Sequence, residues 1–326
     1  MNVPRDPNQL DAKWLSGCLR EAGVLRRGDV SGVRVEPFAE GLGVLGRLVR
    51  LHLMYSEPDP ASPRTLVAKF PSLSEANLGL AHGMHLYERE IYFYEDARAR
   101  TPFVVPRAFF SHIDAAHRFV LVMEDLSETN MCDQVAGATA DELVPLVTAL
   151  ARHHAAFWGK VPARSVRFDD PTFAATIGSI YHAAVGPALE RFGDRFSPEL
   201  RDAALRLDGQ IGALWSRLCK SPTTLVHGDF RLDNLGFARD GQVVCFDWQI
   251  SGLNTGPYDL GFLLSQSVDP EVRALAERDL VRRYHQTLLA CGVRDYAFET
   301  CWEDYRRTLM VCLIYPVIVC GLLDVS

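Results

Sequence analysis

The opening third of the chain alternates apolar and polar positions as strands do, and the remainder repeats at helical spacing. Residues 8–22 put Leu10, Trp14, Leu15 and Cys18 on one face of an amphipathic helix. Strand-like runs at 33–35 and 48–54 flank a glycine-rich stretch, and prolines and acids over 57–63 mark an exposed turn. Residues 65–70 read as a further strand. One main helix is expected over roughly 82–100, ending ahead of Pro102, followed by a strand pair at 104–110 and 118–123. After Glu124-Asp125-Leu126 the pattern becomes helical. Residues 141–158 are long and periodic, and 171–219 are helical with breaks expected at Gly186-Pro187 and Ser197-Pro198. Residues 270–291 and 297–323 are helical as well, and only a hairpin within 225–249 interrupts them. The pattern predicts a strand-rich N-terminal lobe, residues 1–126, and a mainly helical C-terminal lobe, residues 127–326.

Composition narrows the picture. At 326 residues the chain has ample length for a packed core, in one large domain or two moderate ones. With 48% apolar and 23% charged residues it reads as soluble and globular. A net charge of -7 offers no electrostatic footprint for nucleic acid or an anionic membrane, so neither partner is expected. Eight cysteines lie scattered without a C-x-x-C pair, which argues against zinc or a disulfide framework and for a reducing, cytoplasmic setting. The N-terminus lacks the apolar core of a signal peptide. Residues 309–323 are uncharged and mostly apolar, but shorter than the ~20 residues needed to span a bilayer, and Pro316 interrupts them. They read as a buried C-terminal helix.

The chemistry concentrates in 225–249, LVHGDFRLDNLGFARDGQVVCFDWQ. An apolar run ends at His227-Gly228-Asp229, Asn234 follows five residues after Asp229, and a hairpin returns Asp247 at the end of a β-rich run. Phosphoryl transfer from Mg-ATP needs such a set: Asp229 to orient the acceptor hydroxyl, and Asn234 and Asp247 as oxygen ligands for a hard cation. The spacing matches the catalytic and metal loops of the protein-kinase template, with Gly228 in place of its Arg and Trp248 in place of its Phe.

HGDxxxxN followed by FDWQ resembles the aminoglycoside/choline-type small-molecule kinases. Glu124-Asp125-Leu126 and Asp247-Trp248-Gln249 resemble their ecdysteroid-kinase-like branch most. The similarity runs from about Gly41 to about Leu264. It implies an α+β, bilobal protein-kinase-like fold, ATP and Mg2+ as cofactors, and a small hydroxylated molecule as substrate. It also implies adenine contacts from the Glu124 carbonyl and the Leu126 amide, and a structural role for Asp259 in bracing the catalytic loop.

The remaining candidates come from the residues themselves. The glycine loop Gly41-x-Gly43-x-x-Gly46 leads into an alternating run instead of a helix, the strand-glycine-strand order in which small residues settle over phosphates. Lys69 is one of four lysines beside thirty arginines, and the only one within an apolar strand, where it suits the α- and β-phosphates. Glu90 is its expected partner, sharing a helix face with Tyr87, Ile91 and Tyr94, while Glu88 points elsewhere. Arg231 either steadies the moving phosphoryl group, pairs with Asp233, or faces solvent. His227 reads as a scaffold residue, and His153-His154 as helix packing in place of a metal site.

The reading is an ATP- and Mg-dependent O-phosphotransferase, with antibiotic phosphotransferase or a nucleotide-binding pseudokinase as alternatives. A protein kinase is disfavoured, because GPYDLGFL follows Asp247 with little room for a peptide-docking loop. Between Val161 and Lys220 seven acids face eight bases, too balanced for a polycationic acceptor. Phe168, Phe173, Ile177, Ile180, Tyr181 and Phe192 suggest a neutral, apolar alcohol held there.

Overall fold

The computed structural model describes residues 2–38, 46–57, 60–220 and 222–322. The chain forms two compact units: Met1–Arg98 with Val105–Thr129, and Ala99–Val104 with Asn130–Ser326. Gly41 and Gly43 of the glycine loop lie outside the described residues.

In the first unit α1 (Ala12–Glu21) begins where Asp11 accepts a hydrogen bond from the Trp14 amide at 2.7 Å, the usual way to satisfy a helix's orphan N–H groups. Five strands follow among the helices: β1 (Val30–Phe38), β2 (Gly46–Tyr55) and β3 (Thr65–Pro71), then, beyond α2 (Glu75–Gly83) and α3 (Leu86–Tyr92), β4 (Ala108–His112) and β5 (Val120–Glu124). They make one antiparallel sheet in the order β1-β2-β3-β5-β4. Because β3 lies between two partners, its residues 66–70 are all buried, charged Lys69 included. Leu15 and Leu19 of α1 pack with Leu51, Leu66, Phe70 and Val122 into this unit's core.

Two expectations fail here. The helix over 82–100 is not continuous. It starts at Glu75, stops at Gly83, and resumes after His85, whose φ of 55° turns the chain through the left-handed region. Arg89 stabilises the break by donating from Nε to the Met84 carbonyl at 3.0 Å. Beyond Tyr92 the turns widen into a π-helical segment, Phe93–Ala97, and tighten again over Arg98–Arg100. The strand expected from 104 begins only at Ala108. Pro102 and Pro106 remove backbone donors, and Val104, which belongs to the second unit, exchanges hydrogen bonds with Val243 and Cys245 of that same unit.

The second unit is mainly helical. After β6 (Asn130–Met131), α4 (Ala140–Phe157) opens with a reciprocal Thr139–Glu142 capping box. Then come α5 (Pro171–Phe192), α6 (Pro198–Leu207), α7 (Ile211–Leu218), β7 (Thr223–Val226), β8 (Leu235–Phe237), β9 (Val243–Cys245) and β10 (Gly252–Thr255). The chain ends through α8 (Pro257–Gln266), α9 (Pro270–Ala290), α10 (Phe298–Cys312) and α11 (Ile314–Leu322). β8 pairs with β6 and β9, and β7 with β10, so the hairpin is flanked by two short strands that the hydrophobic pattern did not reveal.

α5 runs unbroken through Gly186-Pro187. Its face bearing Val185, Ala188 and Leu189 is buried, and Gly321 of α11 comes against the Ala184 backbone, so packing outweighs the hydrogen bond that the proline forfeits. Among the described residues, Phe298–Leu322 is one stretch long and apolar enough to cross a membrane, and 44% of its most apolar window is buried here. Val311, Cys312, Ile314, Val317 and Ile318 are buried, while Met310, Val319 and Leu322 are exposed. Pro316 falls in the first turn of α11, where a missing N–H costs nothing.

The aromatic surface expected to hold an acceptor is core. Phe168, Phe173, Ile177 and Tyr181 are at most 2% exposed. Phe168 and Phe173 pack on Trp215 at 5.8 and 5.3 Å between ring centroids, and Phe168 packs on Tyr258 at 5.4 Å. Trp215→Ala should therefore cost about 3–5 kcal/mol, lowering the urea midpoint of the second unit. Leu275→Ala, at 88% exposure, should stay within about 0.5 kcal/mol of the parent. Equal midpoints for the two variants would remove Trp215 from the core.

Candidate active site

In the first unit the structure brings Lys69 and Glu90 together. Lys69 stands on β3 opposite Leu48 and Leu121, and its Nζ lies 2.8 Å from Glu90 Oε2 on α3. Both side chains are buried, so each removes the uncompensated charge of the other. Glu88, one turn-face away, bonds His117 at 2.8 Å instead. Gly46 begins β2 opposite Pro71, and a Cβ there would lie 3.3 Å from Lys69 Cε and 3.4 Å from the Phe70 carbonyl oxygen. Glycine thus leaves the lysine stem its room.

The link at the end of β5 is fixed by a different pair. The Asp125 carboxylate, 3% exposed, takes Arg50 Nε at 2.8 Å and Nη2 at 3.4 Å. Glu124 pairs with Leu66 across β3–β5 and donates its amide to the Arg107 carbonyl, and the Leu126 carbonyl accepts from the Thr129 amide.

In the second unit the loop 227–234 hangs from Asp259, a fully buried residue in the first turn of α8. Its carboxylate accepts from the His227 amide at 2.7 Å and the Gly228 amide at 2.9 Å, and His154 Nε2 joins at 3.1 Å. His154 Nδ1 meets the Tyr284 hydroxyl at 2.8 Å. Gly228 has φ 88°, and a Cβ there would strike the Ile250 carbonyl, so the position that carries Arg in the kinase template here demands glycine. His227 accepts from the Asp229 amide at Nδ1 (3.2 Å), which leaves Nε2–H to donate to the Phe246 carbonyl at 2.9 Å. The ring bonds backbone on both sides, tying the Asp229 loop to the Asp247 loop. His153 is likewise a packing residue, between Thr101 Oγ1 at 2.9 Å and the Leu225 carbonyl at 3.0 Å, and burial pushes its pKa well below the usual value.

Asp229 is half-buried. Its Oδ2 accepts from Asn234 Nδ2 at 2.9 Å and from Arg231 Nε at 3.2 Å. Burial raises its pKa, Arg231 and His227 pull it down, and Asp247 raises it further. That mutual repulsion of Asp229 and Asp247 is what a bound cation relieves. Asn234 Nδ2 also reaches the Asp229 carbonyl at 2.9 Å, so two oxygens fix the amide orientation, and Oδ1 is the atom of this side chain that could serve a metal. Asp247 follows β9 with φ 63°, a left-handed conformation that a non-glycine residue holds at some cost.

Among the described residues no three His, Cys, Asp or Glu side chains gather to hold a metal by themselves. Asn234 and Asp247 suit Mg2+, which takes one or two protein oxygens and completes its shell with water and substrate phosphates. Arg231 is engaged rather than exposed: Nη1 bonds Asp233 Oδ2 at 2.8 Å and Gln134 Oε1 at 2.9 Å. Gln134, in the segment after β6, was invisible to sequence reasoning, since an isolated glutamine 95 positions before Asp229 carries no motif.

Comparison with the curated proteins finds no match. Among solved structures the chain is similar to a choline kinase from Cryptosporidium parvum Iowa II, with TM-score 0.57 and 10% identity over 94% of this chain and 87% of that one. It is similar to an amicoumacin kinase in complex with AMP-PNP, Ca2+ and its ligand, with TM-score 0.54 and 13% identity over 96% and 89% of the two chains. It is also similar to an aminoglycoside phosphotransferase from Streptomyces rimosus in complex with ADP and streptomycin, with TM-score 0.50 and 16% identity over 94% and 97%. These likenesses establish a kinase-like α+β fold. The profile of the ecdysteroid kinase-like family matches residues 41–294, and the chain belongs to that family.

Proposed function

We propose that the protein is a small-molecule kinase that transfers the γ-phosphate of ATP to a hydroxyl group, with Mg2+ as its metal. The observation that carries this reading is the Asp229–Asn234–Asp247 set: a half-buried carboxylate fixed by the Asn234 amide and electrostatically opposed by Asp247. Asp229 orients the acceptor hydroxyl and takes up its proton. Asn234 Oδ1 and the Asp247 carboxylate hold the metal, which neutralises charge on the phosphates when bound. Lys69, positioned by Glu90, anchors the phosphates, with Gly41, Gly43 and Gly46 as their cover and Glu124 and Leu126 as backbone partners of adenine. Arg231 serves the same loop. Such catalysis is positioning and charge stabilisation, without a covalent nucleophile.

The acceptor is proposed to be neutral. The near balance of acids and bases over 161–220 gives no surplus of carboxylates for a polycation. Its apolar character has lost its support, since four of the aromatic and aliphatic residues invoked for it are core. A reducing, cytoplasmic setting is part of the same proposal, on the scatter of the eight cysteines along the sequence. The decisive experiment is a screen of hydroxylated compounds for Mg-dependent ADP release, with the phosphate then located on any product by 31P NMR. ATP binding without ADP release on any compound would favour a pseudokinase.

Asp229→Asn should keep nucleotide affinity and lose ~100- to 10,000-fold in turnover, measured by ADP release beside an ATP-binding titration. Near-normal turnover would take Asp229 out of the mechanism. Asp247→Ala should lose Mg-dependent nucleotide affinity as well as rate, and a Mg titration matching the parent would refute the metal assignment. Lys69→Ala and Glu90→Ala should raise the KM for ATP by less in combination than the sum of their separate effects, with a coupling of about 0.5–3 kcal/mol. Additive losses would mean that the ion pair does not act as a unit.

A further inference from the structure

Arg231 and Asp229 do not hold each other unaided. Gln134 uses three of its hydrogen-bonding groups on or beside the catalytic loop. Its Oε1 accepts from Arg231 Nη1 at 2.9 Å, its Nε2 donates to the Gln266 carbonyl at the end of α8 at 3.0 Å, and its own amide donates to Asp233 Oδ1 at 3.0 Å. The carboxamide orientation is determined, because the reverse would turn an NH2 group onto a guanidinium and an oxygen onto a carbonyl. The other oxygen of Asp233 takes the same Nη1 at 2.8 Å. Gln134 and Asp233 therefore fix one end of the guanidinium by charge-assisted bonds, and the rigid planar fork carries that constraint to Nε, 3.2 Å from Asp229 Oδ2. Asp229 Oδ2 then has two donors, Arg231 and Asn234, whereas Oδ1 has no hydrogen bond among the described residues.

We infer that Gln134 is a positioning residue: it holds Arg231 on Asp229 Oδ2, so that the carboxylate keeps one orientation and offers Oδ1 to the acceptor hydroxyl. This rests on the reading of Asp229 as the acceptor-orienting residue. It also gives Arg231 a defined part, as the strut between Gln134 and Asp229, with Nη2 as its one nitrogen not bonded among the described residues. Nothing about residue 134 follows from the loop sequence. It is the segment after β6, held where the Cys132 amide bonds the Leu235 carbonyl, that delivers this side chain.

The test compares Gln134→Met, which keeps length and volume but cannot accept a hydrogen bond in the same way, with Gln134→Glu, which keeps the acceptor toward Arg231; both give up the donor to the Gln266 carbonyl, so the acceptor is what distinguishes them. The first readout is the Arg231 Nε–H resonance of the 15N-labelled full chain, assigned by its loss in Arg231→Lys. In Gln134→Met its exchange with water should quicken by about tenfold or more, and in Gln134→Glu it should stay near the parent value. The second readout is ADP release from Mg-ATP, using the best acceptor of the screen or water. Gln134→Met should lower kcat by about 10- to 100-fold with the KM for ATP unchanged, and Gln134→Glu should recover most of it. An unchanged Arg231 resonance in Gln134→Met, or equal changes in the two variants, overturns the proposal. A parent protein that releases no ADP would refute the functional reading, while the resonance would still decide whether Gln134 holds Arg231.

Discussion

A carboxylate without exposed surface sits at the root of the candidate site, and the geometry of everything around it follows from how that charge is satisfied. Burying an ionised Asp costs several kcal/mol unless each oxygen is bonded. Asp259 meets that condition with the His227 and Gly228 amides and the His154 ring. Its place in the first turn of α8 adds the favourable end of the helix dipole. Two consecutive backbone amides can share one carboxylate only if the chain turns sharply, and Gly228 makes that turn at φ 88° under the Ile250 carbonyl. His154 comes from α4 and Tyr284 from α9, so the loop is fixed to three helices at once.

From that anchor the constraint passes to Asp229 and Asp247, the two acidic residues of the candidate site. The His227 ring links the Asp229 amide to the Phe246 carbonyl, and the Phe246 amide bonds the Asn234 carbonyl at 3.2 Å. Asp229 and Asp247 are thereby held within electrostatic reach of each other, each disfavouring the other's charge. The Leu232 amide on Ser267 Oγ, with Gln134 and Asp233 beside it, secures the far end of the loop. A candidate site that accepts strain at Asp247 and repulsion between carboxylates needs such supports, because neither feature stabilises the fold by itself.

How much of this was legible in the chain differs from residue to residue. Glu90 was separable from Glu88 by helical periodicity alone, and the structure puts it 2.8 Å from Lys69 while Glu88 turns to His117. The chemistry of 225–249 was legible because its residues lie within one loop and one hairpin, where sequence spacing and spatial spacing are nearly the same. The glycine loop was legible only as a pattern.

The sequence by itself determined the strand-rich opening and helical remainder, the family, and the closeness along the chain of the candidate set Asp229, Asn234 and Asp247, since local spacing and side-chain chemistry suffice for these. Tertiary structure decided what depends on contacts distant along the chain. It broke the helix before His85 and kept α5 whole through Pro187, because packing energies exceed local propensities. It sent Phe168, Phe173 and Tyr181 into the core, since an aromatic residue's periodicity does not say which of two apolar faces is a pocket. It alone brought Gln134 to Arg231 and Tyr284 to His154, because a hydrogen bond between residues roughly a hundred positions apart leaves no mark on the hydrophobic pattern of either segment.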